Sequence, residues 1–364
     1  DFWSAIAKRD VMVHHPYETF ATVEHFVKLA ATDPNVLAIK QTLYRVSSHS
    51  PIIAALAEAA ENGKQVTVLM EVKARFDEEN NIFMARKLER AGCHVIYGIM
   101  GLKTHSKITL VVRREEDGIR RYVHLATGNY NGKTARIYTD VGIFTANTLI
   151  GIDASAFFNL LSGYSDPPQW NKLGVAPINL RQRIYEEIEQ ETAHAKAGRK
   201  AIIVAKMNSL LDKEVIAKLY EASAAGVTIH LIIRGICVLR AGLPGISEHI
   251  KVHSVVGRFL EHSRLLYFYN DGKEDVFISS ADWMPRNLNE RVELLVPVEY
   301  SPHKERIKNI LNVYFNDNVK AYAMNADGTY RYLADTRTGK PIHAQEMLQH
   351  EAEEKNMERK KKRK

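Results

Sequence analysis

The feature that most constrains this sequence is that its second half repeats the order of its first half. The segment LKTHSKITLVV carries His105 and Lys107 in the first half, and FLEHSRLLYFY carries His262 and Arg264 in the second. Each segment predicts a strand that opens with histidine, serine and a basic residue. A length of 364 residues also fits about two domains. We therefore expect two similar domains rather than one continuous fold.

Polar residues downstream of the two histidine motifs keep the same spacing. YVHLATGNYN aligns with VFISSADWMPRN, which sets Asn129 opposite Asp282, and IYTD aligns with RVE, which sets Asp140 opposite Glu293. Eleven positions separate the two residues of interest in each half. Ordinary α/β periodicity would align hydrophobic residues, but it would not place a histidine, a polar residue and a carboxylate in one order. We therefore interpret the repeat as a true internal duplication.

Apolar runs alternate with helical stretches in both halves, which is typical of α/β domains with mixed sheets flanked by helices. The segment SDPPQWNKLGVAP (165–177) has three prolines among thirteen residues and is the best linker candidate. We predict a first domain over 1–166 that carries His105, a second over 167–345 that carries His262, and a charged, basic helical tail over 346–364. One active site is expected between the two domains.

Local patterns give several further predictions. A helix is predicted to begin near Pro16 and to run through ETFATVEHFVKLAAT, a strand to cover 106–113, and a buried strand followed by a helix to cover 141–161. His14 and His15 are interpreted as loop residues. His124 lies beside an apolar strand, where a structural hydrogen bond is the favoured interpretation.

The positive charge of the chain is concentrated in its last ten residues. The net charge is +7, and the segment KNMERKKKRK (355–364) holds seven basic residues and one acidic residue. The remaining chain has 43 basic and 42 acidic residues, so its charge does not favour nucleic acid as a partner. The run itself is typical of a solvated helix end.

Cysteine content and hydropathy exclude two classes of protein. Cys93 and Cys237 are too few for a disulfide framework and fit a reducing cytosol. No apolar run reaches the roughly 18 residues that a membrane span needs.

The sequence begins DFWSAIAKRD, without Met and without a signal peptide. We therefore expect it to be the rear part of a longer protein.

The repeated residues have the chemistry that phosphoryl transfer requires. A neutral imidazole offers a lone pair to phosphorus at physiological pH, and a nearby cation such as Lys107 neutralises phosphoryl oxygens. Asp140 or Glu293 would accept the other ring N–H of a histidine and fix its tautomer. Asn129 adds a neutral donor to phosphate. Two copies would supply one histidine that attacks and a second that handles the proton on the opposite side.

This pattern resembles the phospholipase D superfamily, whose paired His-x-Lys motifs form one site. The superfamily's Asp, five residues after the Lys, is replaced here by Val112 and Tyr269, and the second Lys is Arg264. A closer resemblance, to the polyphosphate kinase family of bacterial type, runs from about residue 11 to residue 315. It is carried by HHPYETF (14–20), QTLYR (41–45), EVKARFDEENN (71–81), GLKTHSK (101–107), TGNYNGKTARIYTD (127–140), IIRGICVL (232–239), LEHSR (260–264) and SSADWMPRN (279–287).

The polyphosphate kinase resemblance implies a role for each half of the repeat. It makes His105 the histidine that becomes phosphorylated, and it places Tyr138, Arg234 and His262 around ATP. It also implies that Asp140 and Glu293 orient the two histidines, and the residues alone leave open which acid serves which histidine. Lys107, Arg264 and Asn129 complete the predicted catalytic set.

The resemblance further implies that Mg²⁺ accompanies the ATP or ADP. Arg45 and Arg75 match positions that the family associates with this metal. A guanidinium has no lone pair to give to a cation. We therefore expect both arginines to hold phosphate oxygens that also bind the metal.

The predicted function is reversible transfer of the γ-phosphate of ATP to inorganic polyphosphate through a phosphohistidine. The resemblance covers only the two carboxy-terminal catalytic domains of the family. It implies a cytoplasmic enzyme, dimeric or tetrameric in its full-length form, that associates peripherally with the inner membrane face. Two alternatives stay open. One is a phospholipase D-type phosphodiesterase acting on lipid or nucleic-acid esters, and the other is a polyanion-binding module without catalysis.

Overall fold

The computed structural model describes residues 1–47, 49–72, 78–163, 166 and 169–361. The chain divides into two compact units: Asp1–Leu180 with Arg286–Val296, and Arg181–Pro285 with Pro297–Lys364. A short segment from the second half of the sequence therefore belongs to the first unit. The predicted domain ranges, 1–166 and 167–345, follow the sequence repeat and stay a prediction. Within the described ranges, no helix has the length and hydropathy needed to cross a membrane.

Helices and strands alternate along much of the chain. The first 180 residues form α1 (Phe2–Lys8), β1 (Val11–His15), α2 (Ala21–Thr32), β2 (Val36–Leu43), α3 (Pro51–Glu61), β3 (Gln65–Met70), α4 (Glu78–Arg90), β4 (His94–Ile96), β5 (Lys103–Thr104), β6 (Ile108–Glu115), β7 (Gly118–Ala126), β8 (Tyr138–Thr145), α5 (Thr148–Leu161) and β9 (Gly174–Ala176). The later residues form α6 (Leu180–Lys196), β10 (Ile202–Met207), α7 (Lys213–Ala224), β11 (Thr228–Ile233), β12 (Ile250–Val255), β13 (Leu260–Glu261), β14 (Arg264–Phe268), β15 (Asp275–Ser279), α8 (Pro285–Asn289), β16 (Arg291–Pro297), α9 (Ser301–Phe315), β17 (Ala321–Met324), β18 (Tyr330–Tyr332) and α10 (Ala344–Lys361).

The two units contain the same strand order. In the first unit β4-β3-β2-β6-β7 lie side by side, and in the second unit β12-β11-β10-β14-β15 do so. In each unit the first three strands of this row are parallel, and the last two run antiparallel to their neighbours. The first sheet continues through β8 and β1, and the second continues through β17 and β18. The predicted α/β class, with duplicated mixed sheets flanked by helices, is confirmed.

Equivalent helices of the two units begin and end by the same means. Ser50 and Asp212 are the N-caps of α3 and α7, and each side chain accepts the N–H three residues later. Gly63 and Gly226 follow these helices with φ of +80° and +100°, a conformation that glycine adopts without a steric penalty. The repeat is thus present in local structure as well as in topology.

The core of the first unit lies between its sheet and the helices α1, α2 and α3. Phe26 of α2 is fully buried, with its ring centroid 5.7 Å from that of Trp3 on α1 and 5.2 Å from that of Phe144 on β8. Leu56 of α3 and Val68 of β3 are also fully buried. Burying such side chains stabilises the fold by roughly 1.5–3 kcal/mol each. The packed sheet therefore fixes the ends of the loops that connect its strands.

One local prediction is wrong, and two predicted elements begin later than expected. His14 and His15 lie on β1, not in a loop, because β1 pairs with β8 and sets His15 opposite Asp140. The helix predicted from Pro16 begins at Ala21. The strand predicted over 106–113 begins at Ile108, since the two backbone N–H groups ahead of Lys107 bond to β16. The buried strand and helix over 141–161 are confirmed as β8 and α5. Residues 165, 167 and 168 of the predicted linker lie outside the described residues.

Candidate active site

The backbone of His105 is hydrogen-bonded to a strand that lies much later in the sequence. β5 pairs in parallel with β16, and the N–H groups of His105 and Ser106 both donate to the carbonyl of Val292, at 3.0 and 2.9 Å. Nδ1 of His105 lies 2.9 and 3.0 Å from the two carboxylate oxygens of Glu293. The His105 residue is 6% exposed and Glu293 is fully buried. The geometry therefore fixes one ring nitrogen of His105 on a carboxylate.

Lys107 and Tyr44 surround the same histidine. The Lys107 ammonium donates to the carbonyl of His105, and this side chain is 2% exposed. The Tyr44 and His105 rings lie at an interplanar angle of 87° with their centroids 5.1 Å apart, and Lys107 Nζ lies 5.6 Å from the Tyr44 centroid. Tyr44 was not predicted as a site residue. Its place in the segment QTLYR, at the end of β2, is the signal that could have identified it.

Glu71 reinforces the segment before His105. It is 2% exposed at the end of β3, and its Oε2 accepts the N–H of Thr104 at 2.9 Å. A cavity of about 590 Å³ adjoins this contact, and its wall includes Lys103, Arg286 and Arg291 as well as Glu71. Arg291 Nη1 also lies 3.9 Å from Glu293 Oε1. Positive side chains thus line a cavity beside the residues that hold His105.

The carboxylate of Asp140 lies in the space that a side chain on Gly128 would fill. Its Oδ1 accepts the hydroxyl of Thr127 at 2.6 Å, and the residue is 6% exposed on β8. A Cβ on Gly128 would overlap the Asp140 carboxylate, so this position has no room for a side chain. Asn129 follows directly, and its buried amide oxygen has no hydrogen-bond partner among the residues that the structure describes.

Burial and the neighbouring charges have opposite effects on the pKa of His15. Burial lowers the pKa of His15 below its usual value, although its bond to the Glu18 carbonyl and the negative charge of Asp140 act to raise it. His15 Nδ1 lies 2.8 Å from that carbonyl. The strand β1 therefore places the His15 imidazole opposite Asp140, in surroundings where burial has the largest effect on its pKa.

In the second unit, Arg264 links His262 to Asp282. Arg264 Nη1 lies 3.4 and 3.2 Å from the two ring nitrogens of His262 and donates to its carbonyl at 2.8 Å. Nε and Nη2 of Arg264 bond the two carboxylate oxygens of Asp282, at 3.2 and 3.1 Å. Burial acts to raise the pKa of Asp282, but the Arg264 charge and hydrogen bonds, including one from the Asn208 N–H, outweigh it and lower this pKa. The carboxylate is thus held ionised.

Arg234 lies within the same network. Its Nε donates to the carbonyl of Glu261 at 2.6 Å, and its Nη2 donates to the amide oxygen of Asn208 at 2.7 Å. Asn208 in turn bonds Asp282. The second unit therefore brings Arg234, His262, Arg264 and Asp282 together. Tyr138 is half-buried at the start of β8 in the first unit.

Of the two arginines predicted to be associated with a metal, Arg45 is among the described residues. Arg45 follows Tyr44, and its guanidinium carbon lies 5.8 Å from the centroid of that ring. Arg75 lies outside the described residues. In the described part of the chain, no group of three or more His, Cys, Asp or Glu side chains could hold a metal ion. The Arg45 side chain fits a phosphate oxygen rather than Mg²⁺, since a guanidinium only donates.

His124 has the surroundings of a structural histidine. It is 1% exposed on β7, and its Nδ1 lies 2.9 Å from the Tyr130 hydroxyl. Burial, with a smaller contribution from the charge of His15, lowers the pKa of His124 to about 3. A Cβ on Gly142 would lie 2.7 Å from its Nε2, so the glycine makes room for the ring. This environment supports the structural interpretation of His124.

Comparison with known families matches both halves of the chain separately. The model described as polyphosphate kinase C-terminal domain 1 matches residues 1–167, and that described as polyphosphate kinase C-terminal domain 2 matches residues 173–345. A polyphosphate kinase of Halalkalibacterium halodurans is 58% identical over 345 residues, which cover 95% of this chain and 49% of that protein. A polyphosphate kinase of Lactiplantibacillus plantarum is 57% identical over 325 residues, covering 89% of this chain and 45% of the relative. The chain thus spans about half the length of the curated relatives it matches.

Two solved structures have a fold similar to that of this chain. A crystal structure of polyphosphate kinase from Porphyromonas gingivalis superimposes with a TM-score of 0.90 at 40% identity, and the match covers 97% of this chain and 54% of that one. Phosphatidylserine synthase from Haemophilus influenzae gives a TM-score of 0.60 at 11% identity, covering 96% of this chain and 94% of that one. At so low an identity, the second likeness shows the fold alone.

Proposed function

The chain belongs to the polyphosphate kinase family, and from this membership we propose that it transfers the γ-phosphoryl group of ATP reversibly to inorganic polyphosphate through a phosphohistidine on His105. The observation that carries the proposal is the contact between Nδ1 of His105 and the buried carboxylate of Glu293. A proton held on Nδ1 by that carboxylate leaves the lone pair on Nε2, the nitrogen that would attack phosphorus.

The proposed reaction consists of two displacements at the γ-phosphorus. In the first, His105 Nε2 forms a bond to the γ-phosphorus, the bond between that phosphorus and the β,γ-bridging oxygen breaks, and ADP leaves with the electron pair. In the second, a terminal oxygen of polyphosphate attacks the same phosphorus, and the nitrogen–phosphorus bond breaks. The Glu293 carboxylate stabilises the charge that develops on the imidazole ring. Because each step is a phosphoryl transfer between similar acceptors, the reverse reaction is expected to yield ATP.

The remaining site residues have proposed roles that follow their charges. Lys107 would neutralise phosphoryl oxygens beside the nucleophile, and Asn129 would donate a neutral hydrogen bond. In the second unit, Arg264, held by Asp282, would orient His262 or bind phosphate, and Arg234 and His262 would contact the nucleotide. Tyr138 would contact ATP, and Asp140 keeps the orienting role that the family resemblance implies for it.

Magnesium and the assembly of the protein stay predictions. The described residues provide no metal cage, so Mg²⁺ is expected to be held by the nucleotide's own oxygens. A dimer or tetramer, a cytoplasmic location and peripheral membrane association are expectations from the family resemblance. No observation favours the phosphodiesterase alternative.

Labelling with γ-³²P-ATP and Mg²⁺, followed by a denaturing gel, tests the proposal. We expect acid-labile, alkali-stable label on the protein that disappears in His105→Ala and persists in His94→Ala, an exposed histidine of the same unit. Label that survives His105→Ala would contradict the proposed nucleophile. Binding of polyphosphate without any label, also in a longer gene product that contains this chain, would favour the non-catalytic alternative.

A further inference from the structure

The first turn of α10 carries a glutamine that bonds the backbone beside the second histidine motif. Gln345 is 3% exposed, and its Oε1 accepts the N–H of Phe259 at 3.0 Å. Its Nε2 donates to the carbonyl of Phe259 at 2.8 Å and to Oε1 of Glu261 at 2.6 Å. One side-chain amide therefore satisfies both backbone groups of Phe259, as a neighbouring strand would do.

The chain makes room for this amide at Gly257. A Cβ built on Gly257 would lie 2.5 Å from Gln345 Oε1, 2.8 Å from its Cδ and 3.0 Å from its Nε2. These are the three nearest atoms to that position, and the backbone of Gly257 does not have the left-handed conformation that favours glycine. The absence of a side chain at this position is therefore explained by the close approach of Gln345.

Glu261 connects Gln345 with the predicted nucleotide contacts. Its Oε2 lies 2.9 Å from the ammonium of Lys206, and both side chains are 2% exposed. Its carbonyl accepts the Arg234 Nε at 2.6 Å, and His262 is the next residue along the chain. A buried carboxylate with an incomplete set of partners is costly. Loss of the Gln345 amide would therefore displace Glu261, and with it the backbone that holds Arg234 and His262.

The start of α10 is itself held firmly. The N–H of Ala344 donates to Oδ2 of Asp317 at 2.8 Å, and the N–H of Ile342 donates to Oδ1 of Asn318 at 2.7 Å. Asp317 is 1% exposed, just after α9. The amide of Gln345 is thus presented from a fixed turn rather than from a flexible tail.

We infer that Gln345 is a positioning residue through which the first turn of α10 sets Arg234 and His262 for the nucleotide. This inference rests on the proposed function, because it concerns the residues proposed to contact ATP. It adds a contribution from α10 to a site whose predicted residues all lie on other elements.

The kinetic test compares two glutamines of one helix. Gln349 lies one turn after Gln345, is exposed, and bonds only Glu353 among the contacts described. We expect Gln345→Ala to reduce kcat/KM for ATP about tenfold, mainly through KM, when assayed well below the melting temperature of each variant. Gln349→Ala is expected to equal the wild type. Equal kcat/KM in all three proteins would overturn the inference.

A substitution on the other side of the contact gives a second test. Gly257→Ala should reproduce the loss, because its methyl group would displace the Gln345 amide. The double variant Gly257→Ala/Gln345→Ala should be no worse than Gln345→Ala, since both changes remove one interaction. Losses that multiply in the double variant would overturn the inference, because they would show two independent effects.

Hydrogen exchange at the Phe259 amide separates this inference from the proposed function. We expect Gln345→Ala to speed exchange at Phe259 without any nucleotide present. Unchanged exchange, or faster exchange with unchanged kcat/KM, would contradict the positioning role while the wild type still takes label from ATP. A wild type that takes no label would contradict the proposed function itself, and the positioning role with it.

Discussion

At the proposed nucleophile, one carboxylate decides which ring nitrogen can react. Glu293 lies 188 positions after His105, yet its two oxygens lie 2.9 and 3.0 Å from Nδ1 of that histidine. A neutral imidazole has one donor and one acceptor nitrogen, so a bond from Nδ1–H to the carboxylate leaves Nε2 as the acceptor. The proposed chemistry of His105 therefore depends on the charge and position of Glu293.

Glu293→Gln tests this dependence. The amide keeps the size of the side chain but removes its charge and can present an N–H to Nδ1 in place of an oxygen, so the tautomer is no longer enforced and the imidazolium is no longer stabilised by a charge. We expect phosphorylation of His105 by ATP to slow by roughly 10²–10⁴-fold. Single-turnover labelling measures the rate.

The control for that change is Glu58→Gln, on an exposed side chain of α3 in the same unit. It should leave the labelling rate within about twofold of the wild type, as expected for a surface substitution. A Glu293→Gln variant that is labelled as fast as this control would show that the carboxylate does not assist His105.

At the scale of elements, the packing of β7 against β8 explains a histidine that the proposed reaction does not use. His124 of β7 lies opposite Phe144 of β8, with their ring centroids 4.5 Å apart. Burial lowers the pKa of His124 to about 3. In the unfolded chain a histidine titrates near 6.5. The folded state therefore holds His124 neutral at a pH where the unfolded state binds a proton, and stability falls as the pH falls below about 6.5.

His124→Gln should reduce this acid sensitivity. Between pH 7 and pH 5, we expect the free energy of unfolding of the wild type to fall by about 2 kcal/mol more than that of the variant. Urea denaturation at both pH values measures the difference. His94→Gln, on the exposed start of β4, is the control and should follow the wild type. An identical pH dependence in all three proteins would contradict a buried, neutral His124.

At the scale of the whole molecule, the charge and the site are separated along the chain. Residues 355–364 account for most of the net charge of +7, whereas the second-unit contact from α10 is made by Gln345 in its first turn. From 353 to 358 the side chains of this helix are exposed. The basic end of α10 is therefore expected to contribute little to catalysis, in contrast to its beginning.

Deletion of 355–364 tests that division. At moderate salt, where exposed charges are screened beyond about 10 Å, we expect kcat/KM for ATP to stay within about twofold of the wild type. The melting temperature should also be unchanged. A collapse of the rate at moderate salt would show that the basic run acts directly on the polyanionic substrate.

Much of the molecule could be predicted from the sequence because it depends on local or repeated patterns. The periodicity of apolar residues and the doubled His-Ser motif predicted two similar α/β domains with mixed sheets, and the structure adds that the two sheets share one strand order. The same repeat predicted that His105, His262 and the acids Asp140 and Glu293 belong to one site, and of these the structure shows His105 in contact with Glu293. The start of β6 was misplaced because the His105 and Ser106 amides bond to Val292, a contact far along the chain.

Which of these groups come into contact depends on the packing of distant segments, and the sequence does not specify it. Sequence alignment set Glu293 in the second half, yet it bonds His105 in the first unit, since β16 pairs with β5. Neither Gly128 nor Gln345 carries a local signal of its contact. A hydrogen bond between distant segments depends on the packed positions of whole strands and helices, and residue order alone does not specify that packing.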